Sequence, residues 1–287
     1  MTILVTGANG QVGWELVRSL QPLGRVVGLG RQGCDLSRPE SLNAVLASVK
    51  PSVIVNAAAY TAVDKAEQEQ ALADTVNGES VGVLAEWARR HQAIMVHYST
   101  DYVFDGAKDS PYVETDAVAP LNAYGRSKLK GEQALAAVGP DYLCLRTTWV
   151  YAARGQNFMN TMLRLGRERP ELRVVADQTG APTWARHLAD ATALMLQARR
   201  DGRGGRGIYH LTGSGAMSWC GFAELILARA RELGLTVQAE RVVPISSAEF
   251  PTPARRPANS RLDNARIARD FGIVLPDAAV SLSLALT

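Results

Sequence analysis

The sequence has little cysteine, few aromatic residues and no long hydrophobic run. Only 6% of its 287 residues are aromatic, and the three cysteines are Cys34, Cys144 and Cys220. Their odd number and wide spacing match neither a disulfide framework nor a metal-ligand pattern, so no metal site is expected. No apolar run approaches the roughly 18 residues that span a bilayer, and the N-terminus carries no export signal. We therefore expect a soluble, cytoplasmic protein with no membrane partner.

An excess of one charge is also absent. Lys and Arg number 31 against 28 Asp and Glu, for a net charge of +3, and the two signs are mixed along the chain. Proteins that follow a nucleic-acid backbone usually carry a basic patch or stripe. Because no long basic stripe is present here, nucleic acid is not an expected partner.

Short β-branched runs alternate with longer amphipathic stretches up to about residue 150. This alternation predicts a doubly wound α/β fold, in which helices cover both faces of a parallel sheet. The predicted strands are Ile3 to Thr6, Val26 to Leu29, Val53 to Asn56, Ile94 to Ser99 and Tyr142 to Thr147. After Trp149 this alternation becomes less regular. We therefore predict one domain at 1–150 and a smaller C-terminal lobe at 151–287, from which late segments return to the sheet.

Three glycines follow the first predicted strand, in Thr6-Gly7-Ala8-Asn9-Gly10-Gln11-Val12-Gly13, and lead into the first helix. Gly7 permits a tight turn, Gly10 lets the backbone approach a pyrophosphate, and Gly13 lets helix and strand pack closely. The spacing is Gly-x-x-Gly-x-x-Gly rather than the standard Gly-x-Gly-x-x-Gly. A dinucleotide is expected here, although glycine also serves ordinary turns.

The ends of the second and third strands extend this hypothesis. Arg31 stands near the position where a carboxylate usually holds the ribose 2′-hydroxyl, which favours NADPH over NADH, unless Arg31 is only solvated surface. Asp35 is either a hydrogen-bond acceptor for the adenine amino group or a cap for the next turn. Small side chains in Asn56-Ala57-Ala58-Ala59-Tyr60-Thr61 admit a flat ligand or simply pack a strand end.

Tyr124 and Lys128 lie four residues apart at the start of a predicted helix, so both project from one face. A phenol with an ordinary pKa near ~10 is a poor acid at neutral pH, but a nearby ammonium and a positively charged nicotinamide bring that pKa closer. The alternative is an exposed tyrosine lying over the helix.

Hydroxyl groups collect in Tyr98-Ser99-Thr100-Asp101-Tyr102, at the end of the fourth predicted strand. Catalytic groups of open parallel sheets gather at that edge. The Thr100 hydroxyl is placed to hold a carbonyl oxygen while Tyr124 donates a proton to it. Alternatively, Ser99 and Thr100 only cap the strand and Asp101 begins a turn.

Together these motifs resemble the extended short-chain dehydrogenase/reductase superfamily, and more closely the dTDP-4-dehydrorhamnose reductase family. The segments that carry the closer resemblance are Gly10 to Leu16, Asn56 to Glu67, Ser99 to Gly106, Gln178 to Thr183 and Arg256 to Asp263. The resemblance covers residue 1 to about residue 275. It implies a Rossmann sheet with a C-terminal substrate-binding lobe, and reduction of the 4-keto group of dTDP-4-dehydro-L-rhamnose by NADPH or NADH.

The resemblance also implies roles for individual residues. Tyr124 would donate the proton, Lys128 would orient the nicotinamide ribose and support the phenol, and Thr100 would assist them. The predicted cofactor-binding residues are Gly7, Gly10, Gln11, Val12, Gly13, Arg31, Asp35, Leu36, Ala57, Ala58, Ala59, Tyr60, Thr61, Tyr124 and Lys128. The predicted substrate-binding residues are Thr100, Asp101, Tyr102, Trp149, Asn157, Arg256 and Asn259.

Some of these assignments have physical support and ordinary alternatives. A dTDP-sugar carries a diphosphate, which calls for fixed positive charge such as that of Arg255, Arg256 and Arg261. Arginines between prolines are otherwise plain loop surface. Trp149 either faces the sugar or belongs to the core.

Two features depart from the family pattern. Some members are described as dimers bridged by magnesium through glutamates; Glu15 matches one of these, but Arg186 stands where another is expected, and arginine cannot ligate a hard cation. We therefore predict no structural magnesium and a monomer or weak homodimer. The short C-terminus also predicts an abbreviated last helix. Open alternatives are an extended reductase or epimerase of another nucleotide sugar, and a non-catalytic regulatory subunit, against which Thr100, Tyr124 and Lys128 argue.

Overall fold

A six-stranded parallel sheet forms the centre of the computed structural model, which describes all 287 residues. Elements are numbered along the chain, and the sheet order is β10-β5-β4-β3-β1-β2. Its strands are β1 (Thr2–Thr6), β2 (Arg25–Leu29), β3 (Val53–Asn56), β4 (Ile94–Thr100), β5 (Asp141–Thr147) and β10 (Gly207–His210). Every neighbouring pair is parallel, so the carboxyl ends of the strands meet at one edge.

Both faces of this sheet are covered. The helices are α1 (Gln11–Ser19), α2 (Pro39–Val49), α3 (Val63–Ala66), α4 (Gln70–Asp74), α5 (Ser80–Arg90), α6 (Ala123–Val138), α7 (Phe158–Glu168), α8 (Ala185–Arg200), α9 (Trp219–Glu232), α10 (Ala265–Phe271) and α11 (Ala278–Leu286). One core packs α1, α8 and α10 on the sheet, and the other packs α2, α5 and α6. The predicted doubly wound α/β fold is confirmed.

The pattern within β1 shows why this sandwich forms. Ile3 and Val5 point into one core and Leu4 into the other, and all three side chains are fully buried. Burying an aliphatic side chain of this size contributes roughly 1.5–3 kcal/mol. A strand that is apolar on both faces therefore has to lie between two helical layers.

The segment from Ala71 to Arg90 is not one regular helix. It consists of α4 and α5 joined by a π-helical turn at Thr75–Glu79. Gly78 lies in this turn, and a Cβ there would be 3.1 Å from the Cβ of Lys130. The local widening thus lets α6 pack closely, which hydrophobic periodicity alone cannot indicate.

The second half of the chain forms a lobe beside the sheet and also returns to it. Three small two-stranded sheets pair β6 (Val150–Tyr151) with β9 (Thr183–Trp184), β7 (Glu171–Val175) with β12 (Arg241–Ile245), and β8 (Thr179–Gly180) with β11 (Met217–Ser218). Helices α7, α9 and α11 pack around a third apolar core. By contrast, β10 is an edge strand of the main sheet, and α8 and α10 pack against that sheet. No helix is long and apolar enough to cross a membrane.

Candidate active site

A cleft of about 1020 Å³ lies along the carboxyl edge of the sheet. Ligand pockets commonly measure roughly 300–1,000 Å³, so this one has room for a large ligand. Every predicted cofactor-binding residue except Gly13 lines it. Of the predicted substrate-binding residues, Thr100, Asp101, Tyr102 and Trp149 line the same cleft. The fold therefore brings the two groups of predicted residues together.

The glycine loop is shaped by close backbone packing. Gly7 has a φ of 65°, and a Cβ there would lie 2.7 Å from the backbone of Ala58. A Cβ on Gly13 would lie 2.1 Å from the Gly7 carbonyl oxygen. No side chain caps α1, so the N–H groups of its first turn are available to an anion. These features fit the diphosphate of a dinucleotide.

Arg31 and Asp35 both line the cleft. The Arg31 side chain is 74% exposed, and its Nε is 3.6 Å from the nearer carboxylate oxygen of Asp35. That oxygen accepts hydrogen bonds from the N–H and hydroxyl of Ser37, which lower the pKa of Asp35. Asp35 therefore closes the turn before α2 while it faces the cleft. The exposed guanidinium of Arg31 is open to an anionic ligand in the cleft.

Tyr124 and Lys128 project from the start of α6. Asn122 caps this helix by accepting a hydrogen bond of 2.8 Å from the N–H of Gly125. A Cβ on Gly125 would lie 2.2 Å from the Tyr102 carbonyl oxygen, so glycine lets α6 pack against the segment after β4. The rings of Tyr102 and Tyr124 consequently meet edge to face, with centroids 5.8 Å apart.

Lys128 is almost completely buried. Its Nζ donates a hydrogen bond of 2.7 Å to the Tyr98 carbonyl oxygen and lies 3.3 Å from Nε2 of His97. Burial lowers the pKa of Lys128 to about 8. The amine is therefore mostly charged at neutral pH and titrates in the mildly alkaline range.

The phenol of Tyr124 responds mainly to its surroundings in the protein. Burial raises its pKa above the ordinary range, the negative charge of Asp101 adds to this effect, and the Thr100 hydroxyl acts in the opposite direction. The lowered pKa that the sequence predicts for Tyr124 is therefore not found in the protein without its cofactor. Such a phenol keeps its proton at neutral pH, as a proton donor requires.

Buried polar groups without partners surround this centre. Asp101 is 3% exposed, and burial raises the pKa of its carboxyl to about 6. Thr100 donates a hydrogen bond of 3.0 Å to its Oδ1, whereas Oδ2 has no partner. The hydroxyls of Ser99, Thr147 and Thr148 are also buried and unpartnered. Because each such group costs ~1–3 kcal/mol, the site is built to hydrogen-bond a polar ligand.

Comparison with known proteins decides the family. The model described as the RmlD substrate binding domain matches residues 1–287. This chain belongs to the RmlD family. A dTDP-4-dehydrorhamnose reductase of Burkholderia thailandensis is 57% identical over 283 residues, which cover 96% of this chain and 95% of the relative.

Solved structures of the RmlD family have the same fold. A dTDP-4-dehydrorhamnose reductase of Clostridium acetobutylicum is 38% identical, with a TM-score of 0.91 over 100% of this chain and 98% of that chain. The enzyme of Bacillus anthracis, solved in complex with NADP, is 33% identical, with a TM-score of 0.91 over 99% and 98% of the two chains. The resemblance inferred from the sequence motifs is confirmed.

Three predicted substrate-binding residues of this RmlD chain lie outside the lining of the cleft. Arg256 makes a two-point ion pair with Asp64, at 3.1 and 2.8 Å, which lowers the pKa of that carboxyl. Asn259 donates to the carbonyl oxygens of Lys108 and Ser110. Both side chains therefore order the loops beside the cleft.

Asn157 is the third of these residues. It caps α7 by accepting a hydrogen bond of 3.0 Å from the N–H of Asn160. Its amide donates a hydrogen bond of 2.8 Å to Oε1 of Gln11 in the glycine loop. It thus connects the smaller lobe to the predicted cofactor site.

Trp219 lines the cleft and was not found by sequence analysis. It begins α9 and stacks on Trp149, with ring centroids 3.5 Å apart and planes 11° apart. Trp149 has a φ of 49°, a left-handed conformation that is rare for bulky residues. A tryptophan just after the helix-capping Ser218 was the only local signal, and it did not indicate which surface the ring would face.

The positions that depart from the magnesium pattern lie on α1 and α8. Nη1 of Arg186 is 3.8 Å from Oε2 of Glu15, and Nε of Arg186 is 3.9 Å from Asp190. No group of three or more His, Cys, Asp or Glu side chains is arranged to hold a metal ion. The predictions about magnesium and dimer formation remain predictions.

Proposed function

We propose that this chain reduces the 4-keto group of dTDP-4-dehydro-L-rhamnose to give dTDP-L-rhamnose, with NADPH as the preferred reductant and NADH as the alternative. One observation supports this most strongly. The glycine loop and the group Thr100, Tyr124 and Lys128 line one continuous cleft in a chain of the RmlD family. The names of its relatives supply the substrate.

The first task of the site is to hold the cofactor. The first turn of α1 would hold the diphosphate with its free N–H groups, and Arg31 would pair with a 2′-phosphate. Ala57 to Thr61 line the cleft next to the glycine loop. A bound reduced nicotinamide supplies the hydride. Lys128, whose amine is held by the Tyr98 carbonyl oxygen, would orient the nicotinamide ribose.

The second task is proton transfer. Because its pKa is raised, Tyr124 enters the reaction protonated and gives its proton to the ketone oxygen. The Thr100 hydroxyl stabilises the developing charge on that oxygen. The charge of Lys128 then stabilises the phenolate that remains.

The substrate side of the cleft fits a deoxysugar attached to a nucleotide. Unpartnered hydroxyls of Ser99, Thr147 and Thr148 offer hydrogen bonds to sugar oxygens, and Asp101 offers a free carboxylate oxygen. The Trp149–Trp219 stack adds an apolar wall. Asn157, Arg256 and Asn259 are proposed to shape this side, and Arg256 to attract the diphosphate.

We further propose that residues 1–150 mainly bind the cofactor and residues 151–287 mainly the substrate, although α8 and β10 complete the first domain. The proposed compartment is the cytoplasm, and three buried, unpaired cysteines are compatible with its reducing conditions. A monomer or weak homodimer is proposed. Size-exclusion chromatography with and without magnesium tests that state, and a magnesium-dependent dimer would contradict it.

The activity is tested by mixing purified protein with NADPH and enzymatically prepared dTDP-4-dehydro-L-rhamnose. We expect the absorbance of the reduced cofactor to fall and dTDP-L-rhamnose to form, as identified by NMR. Parallel reactions contain NADH and other 4-keto nucleotide sugars. Faster turnover of another nucleotide sugar would show that the substrate is wrong, and binding without any turnover would favour a regulatory subunit.

Replacing Trp219 with alanine is expected to raise the KM for the sugar nucleotide about fivefold, since a lost aromatic stack is worth roughly 1 kcal/mol beyond burial. The dissociation constant of NADPH should change little. Steady-state kinetics and cofactor titration measure the two effects. Trp87→Ala is the control, because Trp87, on α5, stacks on His91 just after that helix, outside the cleft. An equal change of KM in both variants would remove Trp219 from the substrate site.

Replacing Asp101 with asparagine is expected to stabilise the protein at pH 8 and not at pH 4. Burial raises the pKa of this carboxyl from 3.8 to about 6, so the folded state favours the protonated form. That contribution is complete below pH 3.8 and is lost as the pH rises through about 6. The ionised form therefore destabilises the protein by on the order of 3 kcal/mol at pH 8.

Urea unfolding at the two pH values measures this difference. Asp105→Asn is the matched control with the opposite sign, because a hydrogen bond from Tyr112 lowers the pKa of Asp105. That variant should lose more stability at pH 8 than at pH 4. The same sign for both variants would show that the free carboxylate oxygen of Asp101 is not desolvated.

A further inference from the structure

A buried histidine lies directly beneath the catalytic pair. His97, on β4, has no exposed surface. Its Nε2 is 3.3 Å from Nζ of Lys128, and its Nδ1 is 3.1 Å from the side-chain amide of Asn56. The nitrogen of the Asn56 amide faces His97, and the amide oxygen accepts a hydrogen bond of 2.5 Å from the hydroxyl of Thr6. An unbroken line of hydrogen bonds thus runs from β1 through β3 and β4 to α6.

The position of this line follows from the register of the sheet. Thr6 pairs with Asn56, and Asn56 pairs with His97, so three polar side chains lie side by side on adjacent strands. Thr6 directly precedes Gly7 of the glycine loop, and Lys128 enters the line from the helix. The line therefore connects the proposed cofactor loop to the proposed catalytic lysine through the floor of the cleft.

The protonation states of His97 and Lys128 determine the direction of each hydrogen bond in this line. Burial and the charge of Lys128 lower the pKa of His97 well below its ordinary value, so its ring is neutral and carries one N–H. When Lys128 is an ammonium, Nε2 must accept from it and Nδ1–H must donate to the Asn56 oxygen. When Lys128 is a neutral amine, Nε2–H donates to it and Nδ1 accepts from the Asn56 amide.

Other groups around Lys128 do not take this role. Glu132, on the same helix, is held by Arg146 in a two-point ion pair of 2.9 and 2.6 Å. Cys144, on β5, has a thiol whose pKa is raised by burial, so it is neutral. Tyr124 makes no hydrogen bond to Nζ, whose partners are the Tyr98 carbonyl oxygen and His97.

We propose that His97 is a positioning residue that holds Lys128 in both of its protonation states, by carrying its single proton on Nδ1 when Lys128 is charged and on Nε2 when Lys128 is neutral. Asn56 accommodates the change by turning its amide over, so that its oxygen faces His97 and its nitrogen faces Thr6, whose hydroxyl then accepts instead of donating. Lys128 can then change its charge without losing a hydrogen bond. The effect of this exchange on catalysis rests on the proposed function, whereas the exchange of hydrogen bonds itself does not.

The first test observes the tautomer directly in the intact protein. The chain has four histidines, so ¹⁵N-histidine NMR gives few signals, and loss of one signal in His97→Gln assigns His97. We expect the Nδ1–H form at pH 6.5 and the Nε2–H form at pH 9.5, with the midpoint near the pKa of Lys128, about 8. One unchanged tautomer across this range, or a charged ring at pH 6.5, would overturn the proposal. This measurement needs no substrate, so its outcome is separate from that of the proposed activity.

The second test uses the pH dependence of kcat with the substrate that the enzyme turns over. His97→Leu removes the acceptor of the ammonium, so the alkaline limb should move about one pH unit lower and kcat at pH 7.5 should fall about threefold. His97→Gln, whose amide can accept or donate, should restore most of both. NADPH affinity should stay within about threefold in each variant.

His210→Leu is the matched control. His210 is equally buried on β10, two strands away, and neither of its ring nitrogens has a hydrogen-bond partner. His210→Leu should leave the alkaline limb of the kcat profile at its wild-type position, even if the variant melts at a lower temperature. If His97→Leu folds and its limb coincides with those of wild type and His210→Leu, His97 has only a structural role. If His97→Leu does not fold, the NMR titration of the wild type decides.

Discussion

Replacing Tyr124 with phenylalanine is expected to lower kcat about a thousandfold, because general acid catalysis contributes roughly 10²–10⁴-fold. Only the hydroxyl is lost, so the ring should keep its edge-to-face contact with Tyr102. Because its pKa is raised, Tyr124 is protonated at neutral pH and can donate the proton that the ketone oxygen requires. Binding of NADPH should change by less than about twofold, since its affinity depends mainly on the glycine loop. Stopped-flow kinetics and cofactor titration measure the two quantities.

Tyr112→Phe provides the matched control for this result. Tyr112 is buried, and its hydroxyl donates a hydrogen bond of 2.7 Å to Asp105, but the ring lies outside the cleft. This variant should lose stability while it keeps its kcat. A Tyr124→Phe enzyme that turned over at the wild-type rate would remove the phenol from the mechanism, and Thr100 or Asp101 would then have to supply the proton.

Replacing Gly13 with alanine is expected to weaken NADPH binding by at least about a hundredfold, or nearly 3 kcal/mol. The new Cβ would lie 2.1 Å from the Gly7 carbonyl oxygen and 2.9 Å from Cα of Ala8. Backbone atoms cannot turn aside as a flexible side chain can, so the start of α1 must move away from the loop. The anion-binding N–H groups move with it. Isothermal titration calorimetry measures the affinity.

The control for this substitution is Gly82→Ala in α5. A Cβ at that position would meet only the Cβ of Ala134, at an ordinary contact distance of 3.7 Å. Alanine is also the better helix former by about 0.5–1 kcal/mol, so this variant should bind NADPH normally and melt at a higher temperature. Unchanged cofactor affinity in Gly13→Ala would mean that the glycine loop does not hold the diphosphate.

Local sequence signals were sufficient for five of the six strands of the main sheet. The first five strands begin and end within one residue of their predicted positions. Their β-branched runs are apolar on both faces, and that pattern is stable only between two helical layers. The turn residues that follow them were equally informative, because Gly7 and Gly13 are positions where a side chain would collide with backbone.

Contacts between distant segments could not be inferred in the same way. The stack of Trp149 on Trp219 joins β5's end to the start of α9, and Arg256 meets Asp64 across most of the chain. Neither partner carries a periodic pattern that points to the other. His97 also looks like one more residue of a buried strand until the register places it beside Asn56.

The sequence by itself determined the doubly wound sheet, the glycine loop and the Tyr124 and Lys128 pair, because strand periodicity, turn chemistry and helical spacing act over a few residues. Only the tertiary structure decided which polar groups are desolvated and which partners they have. Burial sets the pKa of Lys128 and Asp101, and burial depends on how separate strands and helices pack together. The protonation behaviour of the site is therefore a property of the packed sheet and helices rather than of any single motif.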